Sequence, residues 1–297
     1  MLACGLSAGR TATLACLLEA SAPKPGNVHR GADFEDLTFV DLVTSGVAIG
    51  ASFDATLERP PAERRLGRLV IAAVDAMNAV CDRNAYLGTI LLLAPLVLVP
   101  DGAALSEGVT KVLAGLGATD AATDAATDAA DVYDAIRRAR PGGLGDAEEH
   151  DVRGSAPNDL IAAMRAAADR DLVARQYANG FAEVFGEIAP CLIDARGAGL
   201  STTMAIVHAH VTTIARHGDS LIARKCGAKV SAAAAARARH VLDAGDPNSE
   251  DYLSALADFD FWLRSDGHRR NPGTTADLIA AALFALLRER RLPPPWR

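Results

Sequence analysis

The 297-residue sequence has few aromatic side chains, scattered cysteines and no excess of positive charge. Phe, Trp and Tyr make up only 5% of the residues, whereas 50% are hydrophobic, many of them in alanine runs. Alanine is the best helix former and its small side chain lets helices approach closely, so we predict an all-α protein. The formal net charge of −7 argues against nucleic acid or an anionic membrane surface as a partner.

The cysteines exclude two further classes of protein. The five are odd in number and widely separated, and they form no Cys-x-x-Cys pair, which argues against a disulfide framework and a zinc site.

The chain does not begin with a lysine-led apolar segment, and its most apolar run, residues 87–99, is too short to cross a bilayer. We therefore predict a cytoplasmic protein that is not inserted in a membrane, folded as a single domain over residues 1–297.

Apolar periodicity and helix-start signals predict a multi-helix bundle. Helices are expected over residues 6–20, 38–54, 62–80, 158–168, 171–187, 201–216 and 278–287. Thr38 and Asp41 have the spacing of a capping box. Residues 89–96 are apolar on every side, which is typical of a helix in the middle of a bundle. The Thr-Asp-Ala-Ala repeat at 119–130 spreads its aspartates around a helix, so we assign it no function.

Residues 22–36, which we call the opening island, interrupt the helices with polar sequence. Two prolines prevent a helix there, and Gly26 and Asn27 allow a tight turn that points several backbone amides one way. Cations, among them Lys24, precede a cluster of carboxylates. The carboxylates are those of Asp33, Glu35 and Asp36. This order suits a phosphorylated ligand with a divalent metal or a proton to be moved, although a solvated surface loop fits it equally well.

Two further islands stand next to predicted helices. Residues 82–88 precede the apolar helix and would place Asn84 near the centre of the molecule, either at a ligand site or as a helix cap with a local ion pair. Residues 141–152 contain three glycines and a His150-Asp151 pair. That pair formally matches metal phosphohydrolases, but it is common by chance and the other ligands are not evident.

The basic island, residues 217–225, ends in Arg224-Lys225. Asp219 or Ser220 can cap a short helix there, and a capped surface helix is the simpler interpretation of this segment alone.

The terminal island, residues 266–277, runs into an apolar helix. A turn at Pro272-Gly273 is followed by Thr274 and Asp277, which have the spacing of a capping box. A glycine turn that leads into a helix N-terminus beside two arginines is a ready anion site. Together with the opening island it would form a two-sided phosphate site.

Taken together, these islands resemble the family of triphosphoribosyl-dephospho-CoA synthases, which build the prosthetic-group precursor of citrate and malonate lyase or decarboxylase systems. The matching pieces are Pro23-Lys24-Pro25-Gly26-Asn27-Val28, Gly31-Ala32 with the acidic residues after it, Asn84, Leu87-Gly88 before Leu91-Leu92-Leu93-Ala94-Pro95-Leu96, Asp219-Ser220-Leu221-Ile222-Ala223-Arg224-Lys225 and Asn271-Pro272-Gly273-Thr274-Thr275-Ala276-Asp277-Leu278. They stand in the family's order and cover nearly the whole chain. The sequence departs from the citrate-lyase members at Asp33, where those carry a histidine, and at Ala85, where threonine is common.

The resemblance implies transfer of the triphosphoribosyl part of ATP to the 2′-hydroxyl of dephospho-CoA, or of a related cofactor precursor, with release of adenine. The ATP-binding residues it implies are Lys24, Gly26, Asn27, Asn84, Arg224, Lys225, Asn271, Gly273, Thr274 and Thr275. Glu35 and Asp36 would hold Mg²⁺. The general base that accepts the proton of the acceptor hydroxyl would be Asp33 or Glu35, with Asp219 as the next candidate. The sequence does not identify the acid that protonates adenine, nor does it give the oligomeric state.

Two other functions fit the same islands. A hydrolase could cleave an N-glycosidic or phosphate bond of a nucleotide with the same acidic residues, water replacing the acceptor. A non-catalytic helical protein could bind the nucleotide only. The second is the weaker alternative because buried charge without a function is costly.

Overall fold

The chain is largely helical in the computed structural model, which describes residues 5–60, 63–116, 122–142 and 150–296. Helices make up 68% of the structure and the described residues contain no strand, which confirms the all-α prediction. The α-helices are α1 (Ala8–Ser21), α2 (Phe39–Leu57), α3 (Leu66–Val80), α4 (Leu87–Val97), α5 (Leu105–Leu116), α6 (Ala122–Arg138), α7 (Leu160–Ala167), α8 (Leu172–Asn179), α9 (Ala189–Gly197), α10 (Thr202–His217), α11 (Ser220–Cys226), α12 (Ala228–Asp243), α13 (Glu250–Arg264) and α14 (Gly273–Arg288).

Two apolar helices, α4 and α14, lie at the centre of the molecule. Every residue of α4 from Thr89 to Val97 is buried, which confirms the predicted central helix. α14 packs against α1, α4 and α10, and its residues from Leu278 to Leu286 are also buried. A smaller apolar cluster joins α10, α11, α12 and α13. Nothing in the packing tests the prediction of a single domain, which stays a prediction.

The helix boundaries follow their local signals in most places. The Thr38–Asp41 capping box is present, with Asp41 N bonded to Thr38 Oγ1 at 3.2 Å and Thr38 N to Asp41 Oδ2 at 2.8 Å. The single helix predicted over residues 171–187 is wrong. Gly180 adopts a left-handed conformation with φ of 70° and ends α8, since glycine takes this C-terminal position at no steric cost. A π-helical segment, Val184–Ile188, follows and leads into α9.

Two of the patterned segments fall partly outside the described residues. Residues 119–121 of the Thr-Asp-Ala-Ala repeat and residues 143–149 of the glycine-containing island lie there. The rest of the repeat belongs to α6.

By length and apolar composition, α2 could cross a membrane. However, 39% of its 18-residue apolar window is buried, and α2 packs against α1 and α3. A core helix passes the same test, so this is weak evidence for a membrane span.

Candidate active site

A cavity of about 800 Å³ opens where the N-termini of α4 and α14 meet. Each of the five polar islands contributes residues to its lining, together with side chains from α1, α6, α7 and α8. Pockets that hold small-molecule ligands have about this size and combine apolar walls with a few polar groups. The islands, which are far apart in the sequence, thus converge on one site.

Hydrogen bonds join the opening island to the terminal island along one wall of the cavity. Asn27 Nδ2 donates to Asn271 Oδ1, and Asn271 Nδ2 donates to His268 Nε2 at 2.7 Å. Because Nε2 accepts, Nδ1 carries the hydrogen and donates to Asp36 Oδ1, also at 2.7 Å. The His268 ring stacks on Phe34 with a centroid distance of 4.4 Å. The two islands therefore form one polar wall that presents Asn27, Asp36, His268 and Asn271 to the cavity.

Gly26 supports this wall from behind and is not among the residues that line the cavity. Its φ is 73°, and its amide donates to Asp260 Oδ1 at 2.7 Å. A Cβ at this position would lie 2.7 Å from Leu263 Cδ1, so only glycine fits. Arg264, held by the same Asp260 carboxylate, donates to the carbonyl oxygen of Asn27. The structure thus gives Gly26 a role in shaping the turn that carries Asn27.

The acidic stretch, residues 33–36, is split by the fold. Asp33 and Glu35 are exposed and do not line the cavity, whereas Asp36 does. Asp33 Oδ1 accepts the amide of Phe39 at 2.7 Å, and Glu35 makes no hydrogen bond or ion pair with the described residues. Within those residues no group of three or more His, Cys, Asp or Glu side chains could hold a metal ion. The predicted roles of Asp33 and Glu35 stay predictions.

Lys24, predicted to bind phosphate, is fully buried and is not part of the cavity lining. Its Nζ lies 2.8 Å from Glu19 Oε1 and donates to the Glu19 and Ala22 carbonyl oxygens at 2.6 and 3.3 Å. Glu19 itself lines the cavity. Burial raises the pKa of the Glu19 carboxyl, and the Lys24 charge opposes that rise. Lys24 thus supports a carboxylate of the cavity from behind.

Cationic side chains are concentrated around the cavity. Among the described residues seven line it, namely Arg83, Arg137, Arg140, Arg153, Arg170, Arg224 and Lys225. Arg224 Nη1 lies 2.9 Å from Asp171 Oδ2. Lys225 makes no hydrogen bond or ion pair with the described residues. Burial lowers the pKa of Lys225, and the negative charge of Asp36 opposes that change. The predicted basic pair therefore contains one cation with a carboxylate partner and one without.

The starts of the two central helices contribute the remaining predicted residues. Asn84 lines the cavity, and its Oδ1 accepts the amide of Leu87 at the beginning of α4 at 3.0 Å. Gly273 and Thr274 also line the cavity, whereas Thr275 does not. Thr274 Oγ1 accepts a hydrogen bond from Ser220 at 3.1 Å.

The predicted cap of α14 by Thr274 and Asp277 is wrong. α14 begins at Gly273, and its N-cap residue makes no side-chain capping hydrogen bond. Asp219, at the start of α11, accepts hydrogen bonds from this helix start instead. Asp219 Oδ2 accepts both the amide and the hydroxyl of Thr275 at 2.8 Å, and Oδ1 caps α11 through the amides of Leu221 and Ile222. Asp219 is buried and does not line the cavity. Because Asp219 satisfies this helix start, the Asp277 carboxyl is free to face the cavity.

Asp277 lies where α4 and α14 meet, and we call this region, with Glu19, the floor of the cavity. Thr89 Oγ1 donates to Asp277 Oδ1 at 2.6 Å. The other oxygen lies over Gly88, where a Cβ would come within 2.0 Å of Oδ2. Burial raises the pKa of Asp277 to about 8, and the negative charges of Glu19 and Asp219 add to the rise, while the hydrogen bonds from Thr89 oppose it.

Sequence reasoning missed the floor. Glu19 falls in a predicted helix with no mark of function, and Asp277 was explained as a helix cap. The available signals were the single acid in each of two helical segments rich in alanine and leucine and, for Asp277, its place in the family-matching piece at residues 271–278.

A profile of the ATP:dephospho-CoA triphosphoribosyl transferase family matches residues 6–294. The chain belongs to this family. A crystal structure from Archaeoglobus fulgidus, of a protein provisionally assigned as a triphosphoribosyl-dephospho-CoA synthase, is similar to it with a TM-score of 0.59 and 22% sequence identity, over 85% of this chain and 99% of that one. At this identity the similarity shows a shared fold. No curated protein sequence matches the chain.

The family match confirms the resemblance seen in the sequence and makes the chain a transferase of the triphosphoribosyl-dephospho-CoA synthase type. It covers all five polar islands and both central helices. Neither the hydrolase nor the binding-only alternative is favoured.

Proposed function

We propose that this cavity binds ATP and dephospho-CoA together and that the chain transfers the triphosphoribosyl group to the 2′-hydroxyl of dephospho-CoA with release of adenine. The observation that carries the proposal is the convergence of five polar islands on one cavity in a chain of this family. Cations surround the cavity and carboxyl groups lie on its floor, which matches a substrate with an anionic triphosphate and a reacting ribose carbon.

The triphosphate would lie against the basic pair and the start of α14. Arg224 and Lys225 point into the cavity from α11, and Gly273 begins α14 beside them. Charge-assisted hydrogen bonds from the two cations favour phosphate oxygens, whereas the Thr275 amide at this helix start is already taken by Asp219. Lys225 is the stronger candidate because it has no carboxylate partner to give up. Asn27, Asn84 and Asn271 would supply neutral donors and acceptors.

Magnesium would enter with ATP as part of the substrate. Mg²⁺ prefers six oxygen ligands and usually keeps waters and substrate phosphates. Of the two predicted ligands, Asp36 lines the cavity and Glu35 does not, and His268 already holds one Asp36 oxygen. The described residues do not build a magnesium site of their own. We propose that the triphosphate carries the ion and that Asp36 is its one protein ligand.

The ribose carbon would react through an oxocarbenium-like transition state, which nearby negative charge stabilises. The carboxyl groups of the floor are better placed for this than those of the acidic stretch, since Glu19 and Asp277 line the cavity while Asp33 and Glu35 do not. The Asp219 carboxylate already accepts four hydrogen bonds.

A location in the cytoplasm remains part of the proposal and is consistent with the free cysteines of the described residues.

Mass spectrometry of the purified protein incubated with ATP, Mg²⁺ and dephospho-CoA tests the proposal. We expect free adenine and an adduct that carries the triphosphoribosyl mass. Adenine without the adduct would show hydrolysis instead of transfer. If neither appears, dephospho-CoA is not the acceptor or the chain does not turn ATP over, and the proposal fails.

Two substitutions test the triphosphate site. Lys225→Ala should raise the KM for ATP about tenfold, or about 1.4 kcal/mol, with an unchanged melting temperature because Lys225 has no partner to lose. Lys229→Ala is the matched control, since Lys229 is exposed on α12 and does not line the cavity. Arg224→Ala should raise the KM and also lower the melting temperature, because it leaves Asp171 without its ion pair.

A further inference from the structure

We propose that Asp277 is the acid that donates a proton to adenine as it leaves the ribose. The inference rests on the proposed function and adds to it the catalytic residue that sequence reasoning could not find. It follows from the position of the carboxyl group on the cavity floor, the contacts that fix its two oxygens and the charges that face it.

The reaction requires such an acid. Transfer breaks the bond between the ribose C1′ and adenine N9 and forms a bond between C1′ and the acceptor 2′-oxygen. The electron pair of the broken bond stays with adenine, which leaves as an unstable anion unless a ring nitrogen is protonated at the same time. General acids of this kind contribute about 10²- to 10⁴-fold to a rate.

The fold holds the Asp277 carboxyl in one place. The start of α14, four residues earlier in the chain, is tied to the start of α11 by the bonds from Thr275 to Asp219. Thr89, in the first turn of α4, fixes Oδ1 at 2.6 Å. Gly88 leaves the space that Oδ2 occupies, since a Cβ there would come within 2.0 Å of it. Two helix starts and one glycine thus position a carboxyl group that lines the cavity.

The surroundings keep a proton on this carboxyl at neutral pH. The ionisable groups that face it are Glu19 and Cys16 on α1, Tyr86 before α4 and Asp219 before α11. None of the four carries a positive charge in either protonation state. None of them therefore stabilises the negative charge of ionised Asp277. Burial acts in the same direction, and the pKa of about 8 follows from the two effects.

Glu19 provides the contrast that completes the proton balance. Burial raises the pKa of both carboxyl groups of the floor, but only Glu19 has an ammonium, that of Lys24 at 2.8 Å, which opposes the rise and favours the ionised form. Two carboxyl groups with such different partners divide into an acid and a base. The proton that the 2′-hydroxyl releases would pass to Glu19 as the proton of Asp277 passes to adenine, and exchange with water would restore both groups after product release.

The test separates proton donation from a structural role by changing the leaving group. Asp277→Asn is compared with wild type on two donors, ATP and nicotinamide riboside 5′-triphosphate, whose nicotinamide leaves as a neutral molecule and needs no proton. We expect kcat with ATP to fall by about 10²-fold or more, and kcat with the nicotinamide donor to change by less than about fivefold. Asp243→Asn, an exposed residue of α12 outside the cavity, is the control.

A pH profile gives a second readout that does not depend on the analogue. Because the acid must be protonated, kcat of the wild type with ATP should fall as pH rises through about 8, and this limb should be absent from the residual activity of Asp277→Asn. Equal losses with both donors, full activity of the variant with ATP, or a limb that persists in the variant would each overturn the inference. If wild type itself forms no product, the proposed function has failed, which is a different result.

Discussion

The carboxyl groups that lie between the helices differ from those of the acidic stretch in how they are held. Glu19 has a buried ammonium as its partner, Asp219 accepts four hydrogen bonds, and Asp277 has Thr89 as its donor. Asp33, by contrast, is exposed and accepts one backbone amide, and Glu35 is exposed without a partner among the described residues. Water can solvate the second set freely, whereas Glu19 and Asp219 are buried and Asp277 is reached only from the cavity that it lines.

The contrast indicates which carboxyls can do chemistry. A buried carboxylate with enough donors is a structural group, as Asp219 is, because its charge is fully compensated. An exposed carboxylate keeps its ordinary chemistry and stabilises little. Asp277 lies between these limits, since it faces a cavity and has too few donors to remain ionised at neutral pH. That combination is typical of a group whose proton is used.

The largest expected effect comes from removing the partner of a buried carboxylate. Lys24→Met should lower the free energy of unfolding by about 3–5 kcal/mol at pH 7, because it leaves the Glu19 charge buried and unpaired. Urea denaturation measures this difference. The double variant Glu19→Gln with Lys24→Met should recover more than half of the loss, since it removes both charges.

Lys229→Met is the control for this substitution, because Lys229 is exposed. If Lys24→Met left the stability unchanged and raised only the KM for ATP, the ion pair would be unimportant and the phosphate-binding role predicted for Lys24 would hold.

Asp219→Ala should have the next largest effect. The substitution removes the cap of α11 and the link to Thr275, so we expect the free energy of unfolding to fall by about 2–4 kcal/mol. Asp219→Asn keeps one acceptor oxygen and should lose less. Native stability together with a large fall in adenine release would instead support the catalytic role that the sequence suggested for Asp219.

Asp277→Asn should change how stability depends on pH. The folded-state pKa of about 8 lies above the ordinary value of 3.8, so the folded wild type holds this proton more tightly than the unfolded chain does. The corresponding stability is fully present below pH 4 and is lost as pH rises through 8. Between pH 5 and pH 7 the variant should therefore gain about 2–3 kcal/mol relative to wild type, measured by urea denaturation at each pH. A constant difference would mean that Asp277 is ionised throughout.

The fold could be predicted where a local pattern decides the structure. The Thr38–Asp41 capping box and the uniformly apolar α4 are short-range features, and both appear as predicted. The break at Gly180 was missed because apolar spacing continues across it. Clusters of charged residues marked the polar islands correctly, since charges next to glycine and proline stand out from alanine-rich helices.

The floor of the cavity could not be predicted because it depends on contacts between distant segments. Asp277 looked like a cap, and only the approach of Asp219, 58 positions earlier in the sequence, shows that this helix start is already satisfied. Glu19 and Lys24 are five residues apart and both charged, yet their burial comes from the packing of α1 against α14.

The smallest effect is expected in the acidic stretch, where Glu35→Gln and Asp36→Asn form a matched pair. Glu35 does not line the cavity, so Glu35→Gln should change kcat for adenine release by less than about twofold, within the range of an exposed charge. Asp36→Asn removes a carboxylate that lines the cavity and accepts from His268, so it should weaken the dependence of ATP binding on Mg²⁺ about fivefold. Titration of both variants with ATP at several Mg²⁺ concentrations measures the difference. A tenfold or larger fall in kcat for Glu35→Gln would mean that the acidic stretch moves onto the ribose when ATP binds, and the contrast between buried and exposed carboxyls would then hold only for the free protein.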